Sequence, residues 1–352
     1  MDIMPYLNLM VDKSASDVFF TTNSPVKIKI EGKATSVGKT MLTGELCKSA
    51  AYSIMTDFQK KKFEETMECD FAIALPDGSC RFRVNVFRQR GEVGMVIRRI
   101  PSEIPTVEQL GLPEILNELI MHKRGLILMV GATGSGKSTT LAAMVNHRNK
   151  NMAGHILSIE DPVEFRHPNL KSIVNQREVG VDTMSYRNAL KASLREAPDV
   201  ILIGEIRDRE TMEAALELSN TGHLAISTLH ANNANQAMER VINLFPTDYH
   251  KQLFMDLSLN IRAVISQRLV TAVDGMRCAA IEIMINTPHM GELILKGEIH
   301  EIKEAMEDSG ARGMQTFDMA LHNLYKEGRI DLEECLNNAD SRTNMEAKIN
   351  FG

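Results

Sequence analysis

Gly125-Leu126-Ile127-Leu128-Met129-Val130-Gly131-Ala132-Thr133-Gly134-Ser135-Gly136-Lys137-Ser138 is the stretch on which the fold turns. It opens with a continuous apolar run, the signature of a strand buried on both faces. It then matches GxxxxGK[ST] and leads into a helix expected to begin near Thr139. A phosphate-binding loop needs that order of strand, glycine-rich turn and helix. The glycines let backbone N–H groups turn inward around phosphate oxygens. The helix presents its positive end to the same anion. The residues that would cradle the nucleotide are Gly131, Ala132, Thr133, Gly134, Ser135, Gly136, Lys137, Ser138 and Thr139. Lys137 suits the β- and γ-phosphates, and the Ser138 hydroxyl suits Mg²⁺.

Downstream of the loop the same alternation continues. His155-Ile156-Leu157-Ser158-Ile159, Asp199-Val200-Ile201-Leu202-Ile203 and Leu224-Ala225-Ile226-Ser227-Thr228 read as further apolar strands separated by helical stretches. Helices alternating with apolar strands imply an α/β layer with a parallel sheet covered on both faces. From Asp248 onward the pattern reads as mostly helical, with a strand or two between Met276 and Met284.

Upstream, the chain has a different texture. Val26-Lys27-Ile28-Lys29-Ile30 and Arg81-Phe82-Arg83-Val84-Asn85-Val86-Phe87 alternate at period two, with a helical segment between them. That is a small α+β domain. Two prolines in Pro101-Ser102-Glu103-Ile104-Pro105 break both patterns and mark a boundary. The organisation expected is a first domain over 1–100, a linker over 101–112, a second domain over 113–345 and a tail over 346–352. The chain of 352 residues is long enough for two cores.

Composition narrows the function. A net charge of −6 argues against a general affinity for nucleic acid. The cysteines Cys47, Cys69, Cys80, Cys278 and Cys335 form no CxxC pair, which argues against zinc and for reduced thiols in the cytoplasm. The N-terminus lacks the basic and apolar regions of a signal peptide, and no apolar run approaches the ~20 residues of a membrane span. Any membrane role would come through a partner. The 22 methionines suit gap filling between helices. The polar segment from Ser341 reads as a frayed end.

Acidic groups end two of the apolar strands, where open α/β sheets keep their chemistry. Glu160-Asp161-Pro162-Val163-Glu164 follows one and Gly204-Glu205-Ile206-Arg207-Asp208 the other. Glu164 suits activation of an attacking water, and Glu160 and Glu205 suit the Mg²⁺ shell. Taken alone, the first segment reads equally well as a solvated turn. The second has glycine where a Walker B segment has aspartate, leaving Glu205 to make that contact. His230, at the end of the next strand, suits sensing of the γ-phosphate, although a lone histidine is more often structural. Ala231-Asn232-Asn233 supplies a cap for the helix that follows.

These segments, taken in order with Thr221-Gly222-His223 and Ser227-Thr228-Leu229-His230, resemble the Walker A, Asp-box, Walker B and His-box series of the type II/type IV secretion-type ATPases. The resemblance covers nearly the whole chain. It implies a RecA-like P-loop core, a PAS-like α+β first domain, a helical C-terminal part, ATP and Mg²⁺ as ligands, and assembly into a homohexamer. It also assigns Arg83 and Arg98 as arginines of the small domain that reach the phosphates, while their strand positions alone fit outward charges of a half-buried sheet.

Within the family, Ile104-Pro105-Thr106-Val107-Glu108-Gln109-Leu110-Gly111-Leu112-Pro113 and Asn175-Gln176-Arg177-Glu178-Val179 resemble the retraction branch of the type IV pilus motors. Gly180-Val181-Asp182, Arg195-Glu196-Ala197-Pro198-Asp199 and the acidic stretch around Glu298, Glu301 and Glu304 depart from its principal members and resemble its accessory paralogues. The implied partners are a PilT-type retraction ATPase and the inner-membrane platform protein of the pilus, with a cytoplasmic location at the pilus base. Three alternatives stand beside this one: a secretion or pilus-assembly ATPase, a ring-forming nucleotide-binding scaffold subunit that assists an active motor, and a nucleic-acid motor. The missing cysteine pairs disfavour the first, the intact Lys137, Glu164 and Glu205 the second, and the acidic charge the third.

Overall fold

A computed structural model describes residues 1–30, 32–100 and 103–350 and the backbone of Phe351. The chain divides into two compact units, Met1–Glu103 and Ile104–Gly352.

The first unit is a six-stranded antiparallel sheet with three helices. Its strands are β1 (Asp17–Phe20), β2 (Lys27–Ile30), β3 (Lys33–Ser36), β4 (Glu68–Ala74), β5 (Arg81–Gln89) and β6 (Glu92–Ile100), in the order β3-β2-β1-β6-β5-β4. The helices are α1 (Met4–Asp12), α2 (Gly44–Tyr52) and α3 (Asp57–Thr66). The period-two pattern of β5 has its expected result: Phe82, Val84 and Val86 are buried in the unit's core, while Arg81, Arg83 and Asn85 on the other face stay half-buried. Thr56 starts α3 with a capping box closed by Gln59.

The second unit begins with the short helix α4 (Ile115–Ile120). Its first strand and helix are β7 (Gly125–Val130) and α5 (Lys137–Asn151). Then come β8 (Gly154–Glu160), β9 (Ser172–Glu178), α6 (Tyr186–Ser193), β10 (Val200–Glu205), α7 (Arg209–Asn220), β11 (Leu224–Leu229), α8 (Ala234–Asn243), α9 (His250–Asn260), β12 (Ile261–Thr271) and β13 (Arg277–Ile285). The sheet order is β13-β12-β7-β11-β10-β8-β9, with every pair parallel except β12–β13. The apolar runs divide by alternation. In β7, Leu126, Leu128 and Val130 enter the core on one face, and Ile127 and Met129 the core on the other. Helices α10 (Pro288–Lys296), α11 (Ile302–Asp308), α12 (Phe317–Lys326), α13 (Leu332–Asn338) and α14 (Arg342–Phe351) complete the chain. This is a RecA-like α/β core with a helical C-terminal part.

Strand β7 is fixed at both ends. It runs in register with β11 from Leu224 opposite Gly125 to Leu229 opposite Val130. The Gly125 N–H donates to the His223 carbonyl at 3.0 Å. At Gly125 (φ +121°) a Cβ would lie 2.5 Å from the Arg262 side chain and 2.9 Å from the Asn260 carbonyl, so only glycine fits.

Several expectations change. Residues after 248 are mostly helical, as expected, and β13 falls on the expected strand; the unexpected element is β12, an 11-residue strand seated beside β7. Its polar residues hide it from a hydrophobicity reading, and each has a buried partner: the Ser266 hydroxyl donates to Glu282 at 3.0 Å, and Gln267 accepts from Thr140 at 2.7 Å. Edge strand β9 was likewise unforeseen as a strand. Helix α5 begins at Lys137 rather than near Thr139. The proposed tail is ordered helix: α14 buries Met345 against α12 and α13, and an Arg342–Glu346 pair spans one turn at 3.0 Å. Of the proposed linker, Pro101 and Ser102 lie outside the described residues, and Val107 and Leu112 are buried in the second unit's core. Among the described residues, no helix is long and apolar enough to cross a membrane.

Candidate functional site

The carboxyl ends of β7, β8, β10 and β11 open onto one cavity of about 330 Å³. Its lining includes Lys137, Ser138, Glu160, Glu164, Glu205 and His230. Eight of the residues read from the sequence, these six with Thr133 and Gly134, therefore converge on one space. They come from four chain segments, each delivered by a parallel strand.

The phosphate loop sits at the base of a 15-residue helix, so its N–H groups and the helix dipole point the same way. Thr133 and Gly134 also line the cavity. The Lys137 ammonium donates to the carbonyls of Gly131 (2.7 Å) and Ala132 (2.8 Å), which draws the side chain across its own loop. Burial holds that ammonium below its usual range, while the nearby Glu205 and Glu164 push the other way.

Glu205 closes β10 and is gripped from two sides. Arg207 donates to Oε2 at 2.7 Å, and His230 Nε2 lies 3.0 Å from Oε1. Its carboxylate is only 15% exposed, whereas His230 is 41% exposed and reaches further into solvent. Thr228 ties the two strand ends together by donating to the Gly204 carbonyl at 2.6 Å.

Gly204 takes the position expected for a Walker B aspartate, and the structure explains the glycine. A Cβ there would lie 2.5 Å from the Tyr186 hydroxyl and 3.3 Å from the Glu160 backbone. Tyr186 fills the space that a side chain would need. Burial pushes its phenol above the ordinary range, and Asp161 adds to the shift, so it stays protonated.

Glu160 ends β8. Its Oε1 accepts from the Ser158 hydroxyl at 2.6 Å and from Gln176 at 3.3 Å, and burial pushes its carboxyl up. Glu164, four residues on, is exposed to the cavity. His167 closes the loop with a buried ring, and burial pulls its pKa down to about 4. Downstream, Asp208 caps α7 and Asn233 caps α8 by accepting N–H bonds from Thr211 (2.8 Å) and Gln236 (2.9 Å).

The donors available for a cation are a hydroxyl, Ser138, and carboxylates, Glu205 and Glu160. These hard oxygen ligands suit Mg²⁺. Among the described residues no group of three or more His, Cys, Asp or Glu could hold a metal unaided.

Arg83 and Arg98 belong to the first unit, where they face each other across β5 and β6. Arg98 donates to the buried Asp17 carboxylate at 2.8 Å, and Arg83 lies 4.0 Å from Asp70. The sequence reading gave no role to Tyr186, Arg207, Gln176 or His167. Arg207 lies within the Gly204–Asp208 segment and Gln176 within the Asn175–Val179 segment, and Gly204 is the signal that another side chain must fill the site. Nothing in the local sequence marks Tyr186.

The whole length of the chain has counterparts. The family model described as "Type II/IV secretion system protein" matches residues 1–348. Type IV pilus ATPase PilU of Pseudomonas aeruginosa is 52% identical over 353 aligned positions, covering 100% of this chain and 92% of that protein. Type IV pilus retraction ATPase PilT of the same organism is 42% identical, covering 95% of this chain and 96% of that protein. A crystal structure of the pilus retraction motor PilT with bound ADP superposes with a TM-score of 0.92 at 39% identity, covering 98% of this chain and 99% of that one. The chain thus belongs to the type II/IV secretion system protein family, among its PilT-like type IV pilus ATPases.

Proposed function

We propose that this chain hydrolyses ATP as a subunit of a homohexameric motor that powers type IV pilus retraction, acting as an accessory to a PilT-type partner. The observation that carries this reading is the convergence of Lys137, Ser138, Glu164, Glu205 and His230 on one cavity at the strand ends. Arg207 and His230 hold Glu205 beside them.

In this reading the loop N–H groups and Lys137 bind the phosphates. Glu164 accepts the proton of the attacking water. Glu205, oriented by its two partners, anchors the polar shell, and His230 senses the γ-phosphate. Arg83 and Arg98 are assigned to charge that develops in the transition state. Ser138, Glu160 and Glu205 would hold Mg²⁺, which would supply positive charge to offset that of the phosphates. The location assigned is cytoplasmic, at the inner-membrane pilus base, through the platform protein. The accessory role rests on the likeness to PilU and on the sequence departures near Gly180 and Glu298.

Retraction in cells lacking every other retraction motor tests this reading. The chain is supplied alone, with an active PilT-type partner, or with a partner inactivated at its phosphate-loop lysine. Retraction only in the presence of a partner, including the inactive one, is the expected result. It should vanish when this chain carries Lys137→Ala. Retraction by the chain alone would remove the accessory role. Retraction that survives Lys137→Ala beside an inactive partner would remove the motor role.

A further inference from the structure

Strand β9 lies at the edge of the sheet, yet two of its polar side chains, Gln176 and Glu178, point at the acidic loop. Gln176 makes three contacts. Its amide nitrogen donates to the Phe165 carbonyl at 2.8 Å and to Glu160 Oε1 at 3.3 Å, and its amide oxygen accepts the His167 N–H at 2.8 Å. Two residues along, on the same face, Glu178 accepts the Val163 N–H at 3.1 Å through Oε2. Glu178 is buried, and its own backbone N–H is held by Asp182 at 2.9 Å. The Val179 N–H closes the set on the Glu160 carbonyl at 2.9 Å.

The loop from 160 to 167 is therefore pinned at Glu160, Val163, Phe165 and His167. Glu164 stands between two of those pins, and its side chain is free to face the cavity. We propose that Gln176 and Glu178 are positioning residues that hold the 160–167 loop so that Glu164 reaches the water it activates. The inference rests on the role given to Glu164 above. A general base works only within hydrogen-bond reach of its proton, so an ångström of drift in the loop is costly. Gln176 also uses its whole amide: one oxygen and one nitrogen read both an N–H and a C=O of the loop, which no apolar residue reproduces.

The test is a cycle of variants in the full-length hexamer: Gln176→Leu, Gln176→Glu, Glu164→Gln and the double variant Gln176→Leu/Glu164→Gln. Gln176→Leu is expected to lower kcat by about 10–100-fold. Binding of a fluorescent ADP analogue should stay within about twofold, since the phosphate loop is untouched. Amide exchange over 161–168 should speed up by about tenfold or more as the His167 N–H loses its acceptor. Gln176→Glu keeps that acceptor but loses both donors, so it should fall between wild type and Gln176→Leu. In the Glu164→Gln background, Gln176→Leu should cost nothing further, because it acts through the missing carboxylate. Full additivity of the two losses would overturn the proposal, as would unchanged kcat. A parallel loss of kcat, nucleotide binding and thermal stability would also overturn it and leave Gln176 a packing residue. Full turnover in Glu164→Gln alone would instead remove the role of Glu164; the exchange experiment would still report whether β9 holds the loop.

Discussion

His230 Nε2 lies 3.0 Å from Glu205 Oε1, while the other oxygen of the same carboxylate is held by Arg207. The geometry gives His230 a job that a lone histidine at a strand end does not advertise, which is to fix the rotation of Glu205. His230→Ala leaves the Arg207 contact in place, so the carboxylate stays near the site but loses one of its two constraints. Turnover is expected to fall by about 10–100-fold, the lower range for a single positioned polar group. Nucleotide affinity, read by titration of a fluorescent analogue, should barely move. Loss of affinity in step with turnover would mean that His230 binds ground-state nucleotide instead.

Gly204 and Tyr186 compete for one space. Gly204→Ala sets a methyl 2.5 Å from the Tyr186 hydroxyl and should destabilise the protein by about 1–3 kcal/mol, the usual cost of overpacking. Adding Tyr186→Phe removes the clashing atom and should recover part of that loss. Chemical denaturation of the two single variants and the double variant reads the coupling. Simple additivity would show that the hydroxyl is not what excludes a side chain at 204.

Arg83 and Arg98 separate on stability. Arg98→Ala strips the buried Asp17 carboxylate of its guanidinium, leaving the Ser16 hydroxyl at 2.8 Å, and should cost about 1–3 kcal/mol. Arg83→Ala loses a 4.0 Å pair between half-exposed groups and should stay within about 0.5 kcal/mol of wild type. If Arg83 stabilises transition-state charge, its removal should still cut turnover by about tenfold or more, with the particle mass by light scattering the same as wild type. Normal turnover in Arg83→Ala would take Arg83 out of the chemistry.

His167 ties stability to pH. Its folded pKa is about 4, below the ordinary 6.5, because burial disfavours the charged ring. Between those values the unfolded chain binds the extra proton, so stability falls as pH drops from about 6.5 to 4. The stability gap between wild type and His167→Leu should therefore shrink by about 2–3 kcal/mol over that window. A gap that does not change with pH would mean that the ring titrates normally.

Legibility from sequence followed chemistry that is local in the chain. The phosphate loop, the four apolar strands and the acidic strand ends were readable because each is a contiguous signal: a run, a motif, a period. What escaped depends on distant partners. Strand β12 carries Ser266 and Gln267 in the interior, and those residues look wrong for a strand until Glu282 and Thr140 are seen to satisfy them. Strand β9 looks polar because Gln176 and Glu178 are occupied with a loop nine or more residues earlier in the chain. Tyr186 could not be found from its neighbours, since its meaning comes from the missing side chain at Gly204. The end of the chain reads as frayed because its apolar residues, among them the buried Met345 and the partly buried Ile349, are spaced among polar ones.

Strand β7 can be regarded as a measuring rod. Its far end is set at Gly125, between the His223 carbonyl and the Arg262 side chain, and its near end carries the phosphate loop. A slip of one residue against β11 would carry Lys137 about 3.3 Å along the strand direction. Phosphate recognition tolerates a fraction of that. The accuracy of the loop is therefore calibrated at the opposite end of the strand, by a glycine outside the lining of the cavity. A side chain forced in at Gly125 would be felt as a positional error at Lys137 rather than as a local defect.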